Sequence, residues 1–206
     1  KPVKVLKGNM KSMGGNLVFR NTLVVTQFVV SIVLLAGTVV VYRQLQFIKN
    51  RNLGYNKENL LYMAMTGEMW NKQAALKAEL ERNPLTAAYT VISDLPTNLT
   101  SGTVSINWEG KDPNSQTVFP NMDVSEEFIP IFQMNLLSGR NFSKAFKGDS
   151  ASFIINEKSM HLMGMTSKTA IGKGLTFQGQ KGTIIGVVKD FNFKPIQQPI
   201  EPLILR

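Results

Sequence analysis

The residue types that usually carry enzyme chemistry are few in this sequence, and they do not converge on one site. The chain contains no cysteine and a single histidine, His161. A zinc site takes about four ligands, mostly histidine and cysteine, so the chain lacks the residues for a usual zinc site. The adjacent acids Glu126 and Glu127 would lie on different faces of a helix and so do not form an acid–base pair. The residues therefore predict no catalytic site, and His161 is interpreted as a partly exposed helix residue.

A glycine-rich segment at residues 172–174 is similar to part of a phosphate-binding loop. That loop reads G-x-x-x-x-G-K followed by Ser or Thr, because glycine amides and a lysine surround the phosphates. Here Ser167 takes the place of the first glycine and Gly174 takes the place of the hydroxyl residue. The sequence therefore predicts no cofactor or nucleotide bound by this chain.

The chain is organised around an uncharged apolar stretch at residues 21–42. About 20 apolar residues in a helix, at 1.5 Å each, span a hydrocarbon layer about 30 Å thick. The alternatives are a buried core helix and a cleaved signal peptide, but the stretch is longer than either usually is without a charge. Helical spacing continues to residue 52. The sequence predicts one transmembrane helix that extends into a stalk and ends at Gly54, the predicted hinge.

Basic residues are concentrated before this helix. The chain has a net charge of +9, and more than half of it comes from residues 1–20, which contain five basic residues and no acid. Cytoplasmic loops of membrane proteins carry such an excess, so residues 1–20 are predicted to be a cytoplasmic connector. The domain after about residue 50 is then outside the cytoplasm. The charge does not indicate a nucleic-acid surface, since little of it belongs to that domain.

The rest of the chain alternates between segments of strand length and segments of helix length, which predicts a mixed α+β domain. Residues 103–109 alternate apolar and polar side chains, and we expect them to form a hairpin with residues 116–124. Asn156 is the predicted N-cap of a helix. Predicted helices cover residues 68–82, 126–132 and 156–163. Predicted strands cover residues 59–65, 88–93, 103–109, 116–124, 134–137, 153–155, 175–178, 183–188 and 203–205.

Several segments, in this order, resemble a known family. They are PVKVLKG at residues 2–8, L-x-x-G-R-x-F at 136–142, I-N-E at 155–157, A-I-G-K at 170–173 with Ala170 in place of the usual proline, and I-G-V-V-K-D-F at 185–191. Together they resemble FtsX-like and MacB-like ABC transporter permeases, of the type common in Bacteroidetes. The resemblance implies structural rather than catalytic roles for the motif residues Gly139, Arg140, Phe142, Asn156, Glu157, Gly172, Lys173, Gly186, Asp190 and Phe191. Gly139 and Gly172 are expected at backbone angles that other residues disfavour.

The resemblance also implies an organisation and a function. Residues 1–20 are the cytoplasmic connector, residues 21–52 the transmembrane helix and stalk, and residues 53–206 a MacB-like periplasmic core domain that is incomplete at its C-terminal end. The expected protein is a multi-pass permease of the bacterial inner membrane that acts as a homo- or heterodimer. ATP is bound by a partner ATPase, and the permease transmits the resulting movement to the periplasm. The alternatives are a single-pass extracytoplasmic sensor or adaptor, and an anchored enzyme that uses His161.

Overall fold

The computed structural model describes residues 13–206, and the chain divides into two units, Lys1–Arg51 and Asn52–Arg206. The first unit contains helix α1, Met13–Asn50. Its segment Leu17–Asn50 has a mean hydropathy of 2.5 and is long and apolar enough to cross a membrane. Its apolar side chains are exposed, as expected of a helix whose surroundings are lipid. The predicted helix with its stalk is therefore observed, while the PVKVLKG segment and the first four basic residues lie outside the described residues.

The bounds of α1 differ from the prediction at both ends. The helix begins at Met13, within the predicted connector, and ends at Asn50, so Gly54 does not cap it. Instead, the side-chain oxygen of Asn52 accepts a hydrogen bond from the Gly54 N–H at 2.8 Å. A short polar turn of this kind competes with helical hydrogen bonds, which explains why the helix stops before the glycine.

The second unit is a mixed sheet with short helices. The strands are β1 (Gly102–Thr103), β2 (Ile106–Trp108), β3 (Phe119–Met122), β4 (Leu136–Gly139), β5 (Ser152–Asn156), β6 (Gly174–Phe177), β7 (Gln180–Val188) and β8 (Ile204–Leu205). The helices are α2 (Gln73–Arg82), α3 (Phe128–Ile131) and α4 (Glu157–Leu162), with 3-10 turns at Gly67–Met69 and Lys147–Ala151. The strand order is β1-β3-β8-β5-β7-β6-β2, and β4 also pairs with β7. The pairs β3–β8 and β5–β7 are parallel, and the other pairs are antiparallel.

The sheet has a hydrophobic cluster on each face. Successive residues of β5 alternate between them: Ile155 belongs to the cluster that contains Met160 of α4, and Ile154 to the cluster that contains Phe128 of α3. Strand β8 alternates in the same way. Because side chains of a strand point alternately to opposite faces, an apolar run such as that of β5 predicts a strand covered on both sides. Strand β7 is paired on both edges and has three partner strands, β4, β5 and β6.

Two predicted strands are wrong. Residues 59–65 form no strand, and Leu61 is 98% exposed. Residues 88–93 contribute one isolated antiparallel bridge, between Ile92 and Val124. Of the predicted strand 59–65, helix 68–82 and strand 88–93, only the helix forms, and α2 is shorter than predicted, Gln73–Arg82. The apolar composition of residues 59–65 suits a strand, but no strand among residues 13–206 pairs with them, and pairing is what makes a strand stable.

The predicted hairpin is correct only in part. The segment 103–109 is interrupted after Thr103, whose hydroxyl oxygen accepts a hydrogen bond from the Ser105 N–H at 3.0 Å. Strand β1 before the interruption pairs with β3, as predicted, but β2 after it pairs with β6. Val104 at the interruption is 44% exposed, whereas Ile106 and Trp108 are buried as the alternation predicts.

Candidate functional site

Most of the motif residues form two groups near the C-terminal end of strand β7. One group surrounds the pairing of β4 with β7 and contains Gly139, Arg140 and Gly186. A second group surrounds the end of β7 and the start of α4, and contains Asn156, Glu157, Asp190 and Phe191. Gly54 also packs against this second group. Sequence positions far apart are therefore brought together, and the contacts explain which residue types are required.

Two facing glycines allow β4 to approach β7 closely. Gly139 and Gly186 are direct partners in the antiparallel pairing. Gly139 has a φ of +77°, and a Cβ there would overlap the carbonyl oxygen of Ile185. A Cβ on Gly186 would lie 2.6 Å from the carbonyl oxygen of Arg140. The close approach therefore excludes every side chain at both positions, and the expected φ of Gly139 is confirmed.

Arg140 closes the loop that follows β4. Its guanidinium donates two hydrogen bonds to the Asp149 carboxylate, at 2.7 and 2.6 Å, and lies 4.0 Å from the centre of the Phe146 ring. The backbone N–H of Ser143 also donates to this carboxylate at 2.9 Å. Such a planar, two-pronged contact is specific to arginine. The Arg140 guanidinium, with the Ser143 N–H, holds the pKa of Asp149 below its ordinary value although burial acts in the opposite direction.

The lowered pKa of Asp149 predicts an acid dependence of stability. A carboxylate whose pKa is lowered by folding contributes stability above its ordinary pKa of 3.8, and that contribution is lost as the pH falls through the lowered value. Asp149→Asn is expected to destabilise the domain by about 1–3 kcal/mol at pH 7, since Arg140 is partly exposed. It should also flatten the loss of stability below pH 3.8. Urea unfolding at pH 7 and in acid measures both, with Asp112→Asn in an exposed turn as the control. An equal effect of the two substitutions would contradict the role of Asp149.

Asn156 joins β5, α4 and β8. Its buried side-chain oxygen accepts hydrogen bonds from the N–H groups of Ser159 and Leu203, each at 2.9 Å, and its amide donates to the carbonyl oxygen of Glu201 at 2.9 Å. The predicted N-cap is therefore confirmed. The same oxygen caps the helix and fixes the chain that leads into β8. An aspartate would keep the acceptor but lose the amide donor, which explains why asparagine suits this position.

The end of β7 and the start of α4 exchange two hydrogen bonds. Asp190 accepts one from the Lys158 N–H at 2.9 Å, and the Asp190 N–H donates one to the Glu157 carboxylate at 3.1 Å. The first turn of a helix has N–H groups without helical partners, and Asp190 supplies one of those partners from outside the helix. Burial raises the pKa of Asp190 above its ordinary value; the Glu157 charge adds to this, and the Lys158 N–H opposes it.

The residues that follow α1 by a few positions are built into the core of the second unit. We name residues 53–56 the junction segment. The carbonyl oxygen of Leu53 accepts a hydrogen bond from the Asn192 N–H at 2.7 Å, and the Asn56 N–H donates to the carbonyl oxygen of Phe132 at 2.8 Å. Tyr55 is buried between these two contacts, edge-on to Phe132 and Phe191. The segment is therefore fixed to the domain by main-chain and aromatic contacts together.

Gly54 of the junction segment is closely packed. It has a φ of +89°, and a Cβ there would lie 2.8 Å from both Cα and Cβ of Phe191 and 3.0 Å from the carbonyl oxygen of Asp190. Phe191 is fully buried. The hinge role of Gly54 stays a prediction, and the structure adds that this glycine lies directly against the motif residues 190–191.

The remaining motif residues have simpler roles. Phe142 is half-buried against the cluster of α3. Gly172 has a φ of +83°, as expected, and pairs through its N–H with the carbonyl oxygen of Ile184 at 2.9 Å. The Lys173 Nζ forms a salt bridge with the Glu109 carboxylate at 2.9 Å on the surface, and an adjacent acid does not suit a phosphate site. Among residues 13–206, no group of three or more His, Asp or Glu side chains could hold a metal ion.

Sequence reasoning missed Asp149 and Tyr55. Asp149 follows Arg140 by nine positions and carries no local motif, so only the fold reveals it as the partner of the arginine. Tyr55 stands beside the predicted hinge, and an aromatic residue directly after a helix end is a signal that could have indicated a buried anchor.

A comparison with family models now identifies this arrangement. Residues 25–200 match the model of the MacB-like periplasmic core domain, which is most of the chain. The chain belongs to this family. It therefore has one candidate membrane helix followed by a MacB-like periplasmic domain of the ABC transporter permease family. No match was found among the curated proteins.

Three solved structures are similar to this chain at low identity. The periplasmic region of MacB from Actinobacillus actinomycetemcomitans is 13% identical with a TM-score of 0.42, over 64% of this chain and 53% of that one. A domain from Porphyromonas gingivalis assigned to a permease protein is 16% identical with a TM-score of 0.42, over 63% and 54%. The extracellular domain of the ABC-type transporter YknZ from Gram-positive bacteria is 16% identical with a TM-score of 0.42, over 70% and 69%. This MacB-like chain spans about half the length of the first two.

Proposed function

We propose that this MacB-like chain is a permease segment of an ABC transporter that transmits movement from the membrane to the periplasm. Cytoplasmic ATP hydrolysis by a partner ATPase moves the transmembrane helix, and the helix moves the periplasmic domain. No substrate has to pass along the helix itself in this scheme. Membership of the family supports the proposal, since the family is a component of transporter permeases.

The observation that carries the proposal is the anchored junction segment. Helix α1 ends at Asn50, and the first residue bonded into the core of the domain is Leu53. Only Arg51 and Asn52 separate them. A continuous helix is stiff, and a connection this short takes up little displacement. A movement of the end of α1 is therefore passed to the domain rather than absorbed by a linker.

The proposal includes the partners and the location. ATP is bound by the ATPase partner, and this chain binds no cofactor of its own in this proposal. Two permeases associate as a homo- or heterodimer, and the intact protein crosses the bacterial inner membrane several times. The domain after about residue 50 lies in the periplasm. We place the joint predicted at Gly54 at residues 51–52 instead, because Gly54 itself is packed into the domain.

The short connection can be tested by lengthening it. Four residues, Gly-Ser-Gly-Ser, are inserted between Arg51 and Asn52 of the intact permease, which is then assembled with its ATPase in nanodiscs. We expect normal membrane insertion and normal folding but loss of the ATP-dependent movement of the periplasmic domain, because a flexible linker absorbs displacement. The movement is measured with a fluorescent probe on the domain.

The matched control carries the same four residues after Asn114, in an exposed turn of the domain. This control should keep the ATP-dependent signal. If the insertion after Arg51 also keeps the full signal, the domain does not receive its movement through α1 and the proposed mechanism is wrong.

A further inference from the structure

We propose that Asp190 is a positioning residue that passes displacement of the junction segment on to helix α4. The inference rests on the proposed function, because it names the route by which movement delivered at residues 53–56 reaches the rest of the domain. It is carried by a continuous set of contacts from Gly54 through the end of β7 to the first turn of α4.

The first step joins the junction segment to residues 190–192. Gly54 packs on Phe191 and on the carbonyl oxygen of Asp190 at distances that leave no room for a Cβ. The Leu53 carbonyl oxygen accepts a hydrogen bond from the Asn192 N–H at 2.7 Å. Contacts to the backbone cannot yield by a change of rotamer, so a shift of the junction segment displaces the backbone on both sides of Phe191.

The second step joins Asp190 to α4. Asp190 both accepts from the Lys158 N–H and donates to Glu157, so the end of β7 holds the first turn of the helix by two opposed hydrogen bonds. The helix has only six residues, and a helix this short depends on its caps for stability. A displaced Asp190 therefore changes both the position and the stability of α4.

The other contacts of α4 lead away from the junction segment. Asn156 caps the helix, and the Ser159 hydroxyl donates to the carbonyl oxygen of Leu203 at 2.9 Å, which joins the helix to β8. Met160 packs in the core, while His161 and Leu162 are exposed at the far end. Asp190 contacts both Gly54 and the first turn of α4, so it is the direct route from the junction segment to the helix. The exposed end of α4 would carry the displacement to the domain surface.

The route is tested without nucleotide, so the result does not depend on ATP-driven movement. Amide hydrogen exchange of α4 is measured in the intact permease in nanodiscs, and Gly54→Ala is used to displace residues 190–191. We expect exchange at the α4 amides to become about fivefold faster. Gly110→Ala is the matched control, because Gly110 has a φ of +90° and nothing within 4 Å of a new Cβ, so it carries the same backbone strain without the collision.

The effect of Gly54→Ala on α4 should disappear in a background that combines Asp190→Ala with Glu157→Ala, which removes both hydrogen bonds between residue 190 and α4, and should return with Asp190→Asn and Glu157→Gln, which keep the two acceptor oxygens. Asn52→Ala, which removes the acceptor of the Gly54 N–H, is a milder displacement if Gly54→Ala does not fold. The inference is overturned if Gly54→Ala or Asn52→Ala changes the amide exchange of α4 equally with and without the hydrogen bonds between residue 190 and α4. It is also overturned if the exchange of α4 does not change at all. Those results leave the ATP-dependent signal of the linker experiment untouched, so the failures of route and function are distinguishable.

Discussion

Gly139→Ala is expected to prevent stable folding of the periplasmic domain. Alanine must adopt a φ of +77° there, and its Cβ would overlap the carbonyl oxygen of Ile185. The colliding group is main chain in the central strand β7, so relief requires β4 to separate from β7. We expect a loss of about 4 kcal/mol or more, the range reached when strain and disrupted packing combine. Urea unfolding of the intact permease in nanodiscs, followed by the fluorescence of buried Trp108, measures it.

Gly172→Ala separates the two causes of this loss. Gly172 has a similar φ of +83°, but a Cβ on it would meet nothing within 4 Å. Its substitution should cost only the left-handed backbone strain, about 1–2 kcal/mol. If the two substitutions destabilise the domain equally, the close approach of β4 and β7 contributes nothing beyond backbone strain, and the explanation of Gly139 given above is wrong.

These two glycines also show what the sequence reveals. Their positive φ angles could be predicted, because a glycine within a strand-end motif indicates a turn that other residues disfavour. The N-cap role of Asn156 could be predicted for a similar reason, since a helix start has a local pattern. The collision that makes Gly139 irreplaceable could not, because it depends on where Ile185 lies in the paired strand. Local backbone geometry can thus be predicted from local sequence, whereas the partners of long-range contacts cannot.

The same distinction explains the incorrect strands. Residues 59–65 have the apolar composition of a strand, yet a strand forms only when a partner is available, and no described strand lies beside them. Residues 153–155 have a similar composition and do form the core of β5, because β7 and β8 pair with both edges. The same holds for side chains. Arg140 and Asp190 could be singled out from sequence motifs, but their partners, Asp149 and the Lys158 N–H, could be identified only from the fold.

Leu34→Arg is expected to reduce membrane insertion of α1 strongly. Leu34 lies within the uncharged stretch, and its side chain is 65% exposed, so no side chain among residues 13–206 shields an arginine there from lipid. An arginine at the centre of a membrane helix costs about 2.5–3.5 kcal/mol on insertion scales. The inserted fraction can be measured by protease protection of the domain in membrane vesicles. Leu45→Arg is the matched control, because Leu45 is 60% exposed but follows Arg43, beyond the uncharged stretch, where a long basic side chain reaches the interface. Equal insertion of the two variants would show that residues 21–42 do not cross the hydrocarbon core, and the movement proposed for the domain would then need another source.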